Sequence, residues 1–130
     1  MGRPEGKRIL VPSESVEQRA LMQWAAMQRG KRPELALLYH IPNEGKRSAA
    51  QGARMRAEGL RAGVPDLCLP VARGKCHGLY IEMKRIGGKA TPEQLGWLDA
   101  LRAQGYAVAI CQGWESAANV IESYLKEGKA

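Results

Sequence analysis

Asp66, Glu82 and Lys84 are the residues whose types and spacing best suit chemistry. Glu82 and Lys84 stand two apart in Leu79-Tyr-Ile-Glu-Met-Lys84, an alternating apolar–polar run that predicts a half-buried strand. Their side chains therefore share one face. Asp66 follows Gly63-Val64-Pro65 and opens a strand expected to run to about Val71. A basic turn over residues 72–78 would pair the two strands antiparallel and bring all three side chains within reach of one another. Two carboxylates that close repel unless a cation lies between them, and hard oxygen donors with open water positions suit Mg²⁺ or Mn²⁺. Such an ion acidifies a bound water and stabilises charge on a phosphate oxygen, and Lys84 can orient that water or offset the phosphate charge. The residue types thus fit metal-dependent phosphodiester hydrolysis. The plainer alternative is a solvated strand face with a cross-strand charge pair.

The elements that must position these groups follow from periodicity and caps. Ser13 predicts a helix start with Glu14 in the first turn, and Val16, Ala20, Trp24 and Met27 form its apolar stripe up to Gly30. Leu35–Ile41 is an apolar run of strand length ended by Pro42-Asn43. A polar stretch from Glu44 to about Arg61 is helical in its second half. Beyond the two central strands and the Gly87-Gly88 loop, Thr91-Pro92-Glu93-Gln94 predicts a helix with Thr at the N-cap and Gln at N3. That helix runs to about Gln104, Gly105 stops it, and Tyr106–Cys111 forms another strand. Ala117, Val120, Ile121, Tyr124 and Leu125 mark a last amphipathic helix. The order α-β-α-β-β-α-β-α predicts one α/β domain over 1–130, a small mixed sheet flanked by helices, with its core in about 14–125 and a basic lead-in over 1–12.

The chain has 130 residues, 45% hydrophobic and 25% charged, and carries a formal charge of +7. That excess favours a polyanionic partner, most simply nucleic acid. Asn43, Lys46, Arg47, Arg54 and Arg56 after the first strand, with Arg73 and Lys75 in the turn, are the candidate phosphate contacts; for some of them a solubilising surface is the plainer role. No apolar run is long enough to cross a bilayer, the N-terminus lacks a signal-like stretch, and Cys68, Cys76 and Cys111 form no CxxC. A membrane protein, a secreted disulfide protein and a CxxC zinc module are therefore not expected; a cytosolic chain is. His40 reads as a packed or capping histidine, and Trp24, Trp97 and Trp114 as core or interface residues.

Taken together, Gly63-Val64-Pro65-Asp66, Ile81-Glu82-Met83-Lys84 and Thr91-Pro92-Glu93-Gln94 resemble the virus-type replication-repair nuclease (VRR-NUC) domain of the PD-(D/E)XK superfamily. Glu14…Gln18, Ile41-Pro42-Asn43…Arg47, Gly105-Tyr106 and Gly113-Trp114 extend the likeness over about residues 14–125, in family order. The resemblance implies a restriction-endonuclease-like fold. It implies Asp66 and Glu82 as metal ligands helped by the Met83 carbonyl, and Lys84 as the catalytic lysine. It places Gln94 at the site, where a capping role at N3 is equally compatible. A first-helix glutamate is implied near the metal. Glu14 matches best, with Glu17 as rival because a charge so near the apolar stripe needs a partner. The resemblance further implies DNA contact by Asn43 and Arg47, a Mg²⁺ or Mn²⁺ cofactor, branched DNA such as a four-way junction as substrate, a homodimer and a phage or prophage origin. A non-catalytic basic nucleic-acid-binding module, or a subunit recruiting another nuclease, is the alternative.

Overall fold

A computed structural model describes residues 10–42 and 48–128. Ser13 begins helix α1 (Glu14–Gln28) by accepting from the Val16 N–H at 3.2 Å. The buried stripe of α1 differs from the expected one. Glu17, Leu21 and Ala25 face inward, while Val16 and Met27 are exposed. The inward face includes a carboxylate, which a search for apolar periodicity passes over.

The run at Leu35–Ile41 is not one strand. Pro33–Leu37 forms a 3₁₀ turn, and strand β1 is only Tyr39–His40. Pro33 sits at the first turn position, where its missing N–H costs nothing, and Leu35 and Leu38 are buried three apart, the period of a 3₁₀ helix. A short apolar run cannot by itself separate these forms. Helix α2 (Ala49–Ala57) starts from a reciprocal capping box between Ser48 and Gln51. Strand β2 is Leu67–Leu69, shorter than expected because Pro70 has no N–H to continue the ladder. Strand β3 is Leu79–Lys84, helix α3 Pro92–Ala103, strand β4 Ala107–Gln112 and helix α4 Trp114–Lys126. Thr91 and Gln94 form the capping box of α3, as its sequence predicts.

The sheet order is β1-β2-β3-β4, antiparallel across the first two pairs and parallel between β3 and β4. β3 is a central strand, so it is buried almost throughout rather than on alternate residues. Leu67, Leu69, Leu79, Ile81, Met83 and Cys111 form one core with Leu21 of α1 and Ala117, Ile121 and Leu125 of α4. Each fully buried Leu, Ile or Met contributes about 1.5–3 kcal/mol, enough to hold the sheet against this helix pair. The alternate residues, Asp66 and Cys68 beside Tyr80, Glu82 and Lys84, lie on the other face of the sheet. That face carries the candidate site.

Candidate active site

Leu67 pairs with Ile81, so one step beyond the end of β2 Asp66 stands opposite Glu82. Asp66 is held from two sides. Its carbonyl accepts from the Ile41 N–H at 2.7 Å, and its Oδ2 accepts from the Met83 N–H at 2.7 Å. The Met83 amide, left without a ladder partner where β2 stops, thus orients the carboxylate. Upstream, Gly63 has φ +85°, and a Cβ there would lie 2.8 Å from Glu93 Cγ; glycine lets the Gly63–Asp66 segment rest on α3.

Glu82 is 2% exposed, Lys84 6% and Asp66 9%. Lys84 Nζ lies 3.5 Å from Glu82 Oε2, a loose ion pair, and Glu82 Oε1 is buried with no hydrogen-bond partner among the described residues. Burial, reinforced by the adjacent Asp66 carboxylate, pushes the Glu82 carboxyl up to about 8, with Lys84 only partly opposing the shift. A buried oxygen without a donor, beside a second carboxylate, suits a divalent cation of the Mg²⁺ class. No third His, Cys, Asp or Glu side chain joins the pair among the described residues, so further ligands would be backbone carbonyl, water or phosphate.

The two first-helix glutamates part ways. Glu14 is exposed in the first turn of α1. One turn on, Gln18 Nε2 lies 3.0 Å from His40 Nδ1, itself 3.2 Å from the Asp66 carbonyl. Glu14 therefore shares the α1 face that approaches Asp66. Glu17 is buried, and its Oε1 accepts from the Trp114 N–H at 3.0 Å. Gly113, the N-cap of α4, has no side chain to cap with, so Glu17 caps that helix from across the fold.

The VRR-NUC domain profile matches residues 12–115, a span that holds every residue of this cluster. The chain belongs to the VRR-NUC family. A solved structure described as a VRR_NUC domain protein is 32% identical, with a TM-score of 0.81 over 93% of this chain and 94% of the other. No curated protein sequence matches the chain. The fold is accordingly the mixed-sheet α/β fold of a nuclease-type domain.

Within this VRR-NUC domain, Gln94 Oε1 accepts from the Thr91 N–H at 2.9 Å, so the capping role is realised, and no hydrogen bond joins Gln94 to Asp66 or Glu82 among the described residues. Asn43, Lys46 and Arg47 lie outside the described residues. Arg54 and Arg56 are exposed on α2, and Lys75 is exposed in the turn. Arg73 is not a surface cation. It is buried in an ion pair with Glu34, and its Nε and Nη1 donate to the Leu125 and Ala72 carbonyls. His40 is exposed rather than packed and bridges Gln18 to the Asp66 backbone. Trp97 donates from its indole N–H to the Ala62 carbonyl at 3.0 Å, and Trp24 and Trp114 pack on the core, as expected of structural tryptophans. The tyrosines carry no signal in residue type or spacing. Tyr39 and Tyr80 flank Cys68 on the face that carries Glu82, a relation visible only through strand register. No helix among the described residues is long and apolar enough to cross a membrane.

Proposed function

We propose that this VRR-NUC domain is a Mg²⁺- or Mn²⁺-dependent endodeoxyribonuclease acting on branched DNA, as a homodimer. The observation that carries the metal reading is Glu82 Oε1, buried beside Asp66 with no hydrogen-bond partner among the described residues. In this reading Asp66 and Glu82 would hold the ion, with the Met83 carbonyl as a third protein ligand. When bound, the ion supplies Lewis-acid stabilisation of phosphate charge and makes an attacking water more acidic.

The chain's own residues do the rest. The Met83 N–H fixes the Asp66 carboxylate, leaving its second oxygen for the site. Lys84 Nζ, next to Glu82, orients the attacking water or offsets charge on the scissile phosphate. Glu14 adds a carboxylate at the outer edge of the site, and Gln94 contributes a side-chain amide from the start of α3. Asn43 and Arg47, with exposed Arg54 and Arg56, are the proposed DNA contacts, and the +7 charge supports non-sequence-specific phosphate binding. Among the described residues there is one such cluster, so paired cuts in two strands require two copies.

The test is cleavage of a labelled four-way junction beside duplex, flap and single-stranded controls, with Mg²⁺, Mn²⁺ or EDTA, for wild type and Glu82→Ala. Metal-dependent, junction-selective cutting lost in Glu82→Ala is expected. Equal cutting of every substrate would remove the junction preference, and binding without cutting in either metal would leave only a nucleic-acid-binding module.

A further inference from the structure

Beside the carboxylates, the same sheet face carries an aromatic strip. Tyr39 pairs with Cys68, and Cys68 with Tyr80, so the three side chains stand in a row across β1, β2 and β3. Tyr80 is two residues before Glu82, about 7 Å along the strand and on the same face. Its ring is braced edge-on by Tyr106 at 5.2 Å, and Tyr106 by His77 at 5.6 Å. Tyr39, on the edge strand, is 49% exposed. Val108 continues the row on β4.

We infer that Tyr39 and Tyr80 form a stacking platform for an unpaired nucleotide next to the scissile phosphate. The inference rests on the nuclease reading and adds to it the feature of the DNA that this face receives. The row has no cationic side chain, so it cannot pair with the phosphates that line the outside of a duplex. Aromatic rings such as the exposed Tyr39 and the partly exposed Tyr80 accept the faces of bases, which are available only where a strand is unpaired or unstacked. Tyr80 also stands within one nucleotide's reach of Glu82 and is held edge-on by Tyr106. A second copy of the chain is a poorer occupant. Two partly exposed tyrosines present at most about 250 Å², against roughly 800 Å² per partner in a stable interface.

The experiment compares wild type, Tyr39→Ala and Tyr39→Phe, each checked for folding by circular dichroism. Fluorescence anisotropy in EDTA gives the affinity for a blunt duplex and for the same duplex with a single-stranded extension, and cleavage of both is then followed in Mn²⁺. The extended-over-blunt affinity ratio should fall about 5- to 100-fold in Tyr39→Ala and stay near wild type in Tyr39→Phe. An unchanged ratio in Tyr39→Ala, an equal loss in Tyr39→Phe, or wild type with no preference for the extension overturns the platform, whether or not the protein cuts. Conversion of a dimer to a monomer by Tyr39→Ala with the ratio intact also overturns it and assigns the strip to a second copy. Absence of cutting by wild type counts against the nuclease reading alone, because the affinity ratio still decides the platform.

Discussion

Glu17 of the first helix caps the last one, accepting from the Trp114 N–H at 3.0 Å. The contact lies beside the end of β3, because the Gly113 N–H donates to the Lys84 carbonyl at 2.9 Å. Glu17 therefore fixes the position of α4 relative to the strand that carries Glu82 and Lys84. With its carboxylate so engaged, Glu17 is occupied structurally, and Glu14 is the first-helix glutamate proposed for the site.

The two glutamates should separate in paired measurements. Glu17→Ala strands a part-buried helix N–H and is expected to cost about 1–2 kcal/mol in urea unfolding. Glu14→Ala, at an exposed position, should leave stability within about 0.5 kcal/mol and lower the cleavage rate. Stability loss from Glu14→Ala with cleavage unchanged would reverse the assignment.

Arg73 should behave as a structural ion. Removing it leaves Glu34 and two carbonyls without their partner, and because Glu34 is partly solvated the expected loss is about 2–3 kcal/mol. Urea unfolding of Arg73→Ala measures it. The salt dependence of DNA binding by the folded variant should keep its slope, whereas Arg54→Ala should reduce the slope by about one counterion. A reduced slope for Arg73→Ala would restore it as a phosphate contact.

Metal-free stability should carry the mark of Glu82. Its carboxyl titrates at the ordinary 4.5 when unfolded and at about 8 when folded. The folded chain thus binds the extra proton between those values, and the contribution of Glu82, fully present below 4.5, is lost as pH rises to about 8. In EDTA, the Tm of wild type should fall relative to Glu82→Gln across that window, and added Mg²⁺ should reverse the fall by replacing the proton. A wild-type-minus-variant difference flat in pH contradicts the buried-carboxylate account.

Gln94 can be tested without breaking its cap. Glutamate completes a capping box as glutamine does, so Gln94→Glu should keep stability within about 0.5 kcal/mol of wild type. Loss of cleavage in that variant places Gln94 in the reaction, and unchanged cleavage confines it to capping α3.

The site's skeleton was legible because it depends on local pattern. The period-two run of β3 and the Gly63–Asp66 segment lead to antiparallel strands with Asp66 opposite Glu82, and Thr91–Gln94 shows its helix start directly. Features that depend on distant partners were not legible. Glu17 interrupts the apolar stripe of α1 because its partner is 97 positions away, and Arg73 looks like a surface cation until Glu34 and α4 close around it. The 3₁₀ turn at Pro33–Leu37 was hidden in an apolar run that suits a strand equally well. Tyr39 and Tyr80 meet only through the register of β1 on β2 and β2 on β3.

A divalent cation shared by Asp66 and Glu82 is the central claim for this site. Electron paramagnetic resonance of free Mn²⁺, titrated with the protein bound to a phosphorothioate DNA that resists cleavage, reads this directly. Wild type should remove Mn²⁺ from solution, and Asp66→Asn and Glu82→Gln should each weaken that uptake at least tenfold while still binding the DNA. Equal uptake by wild type and both variants would contradict the shared ion.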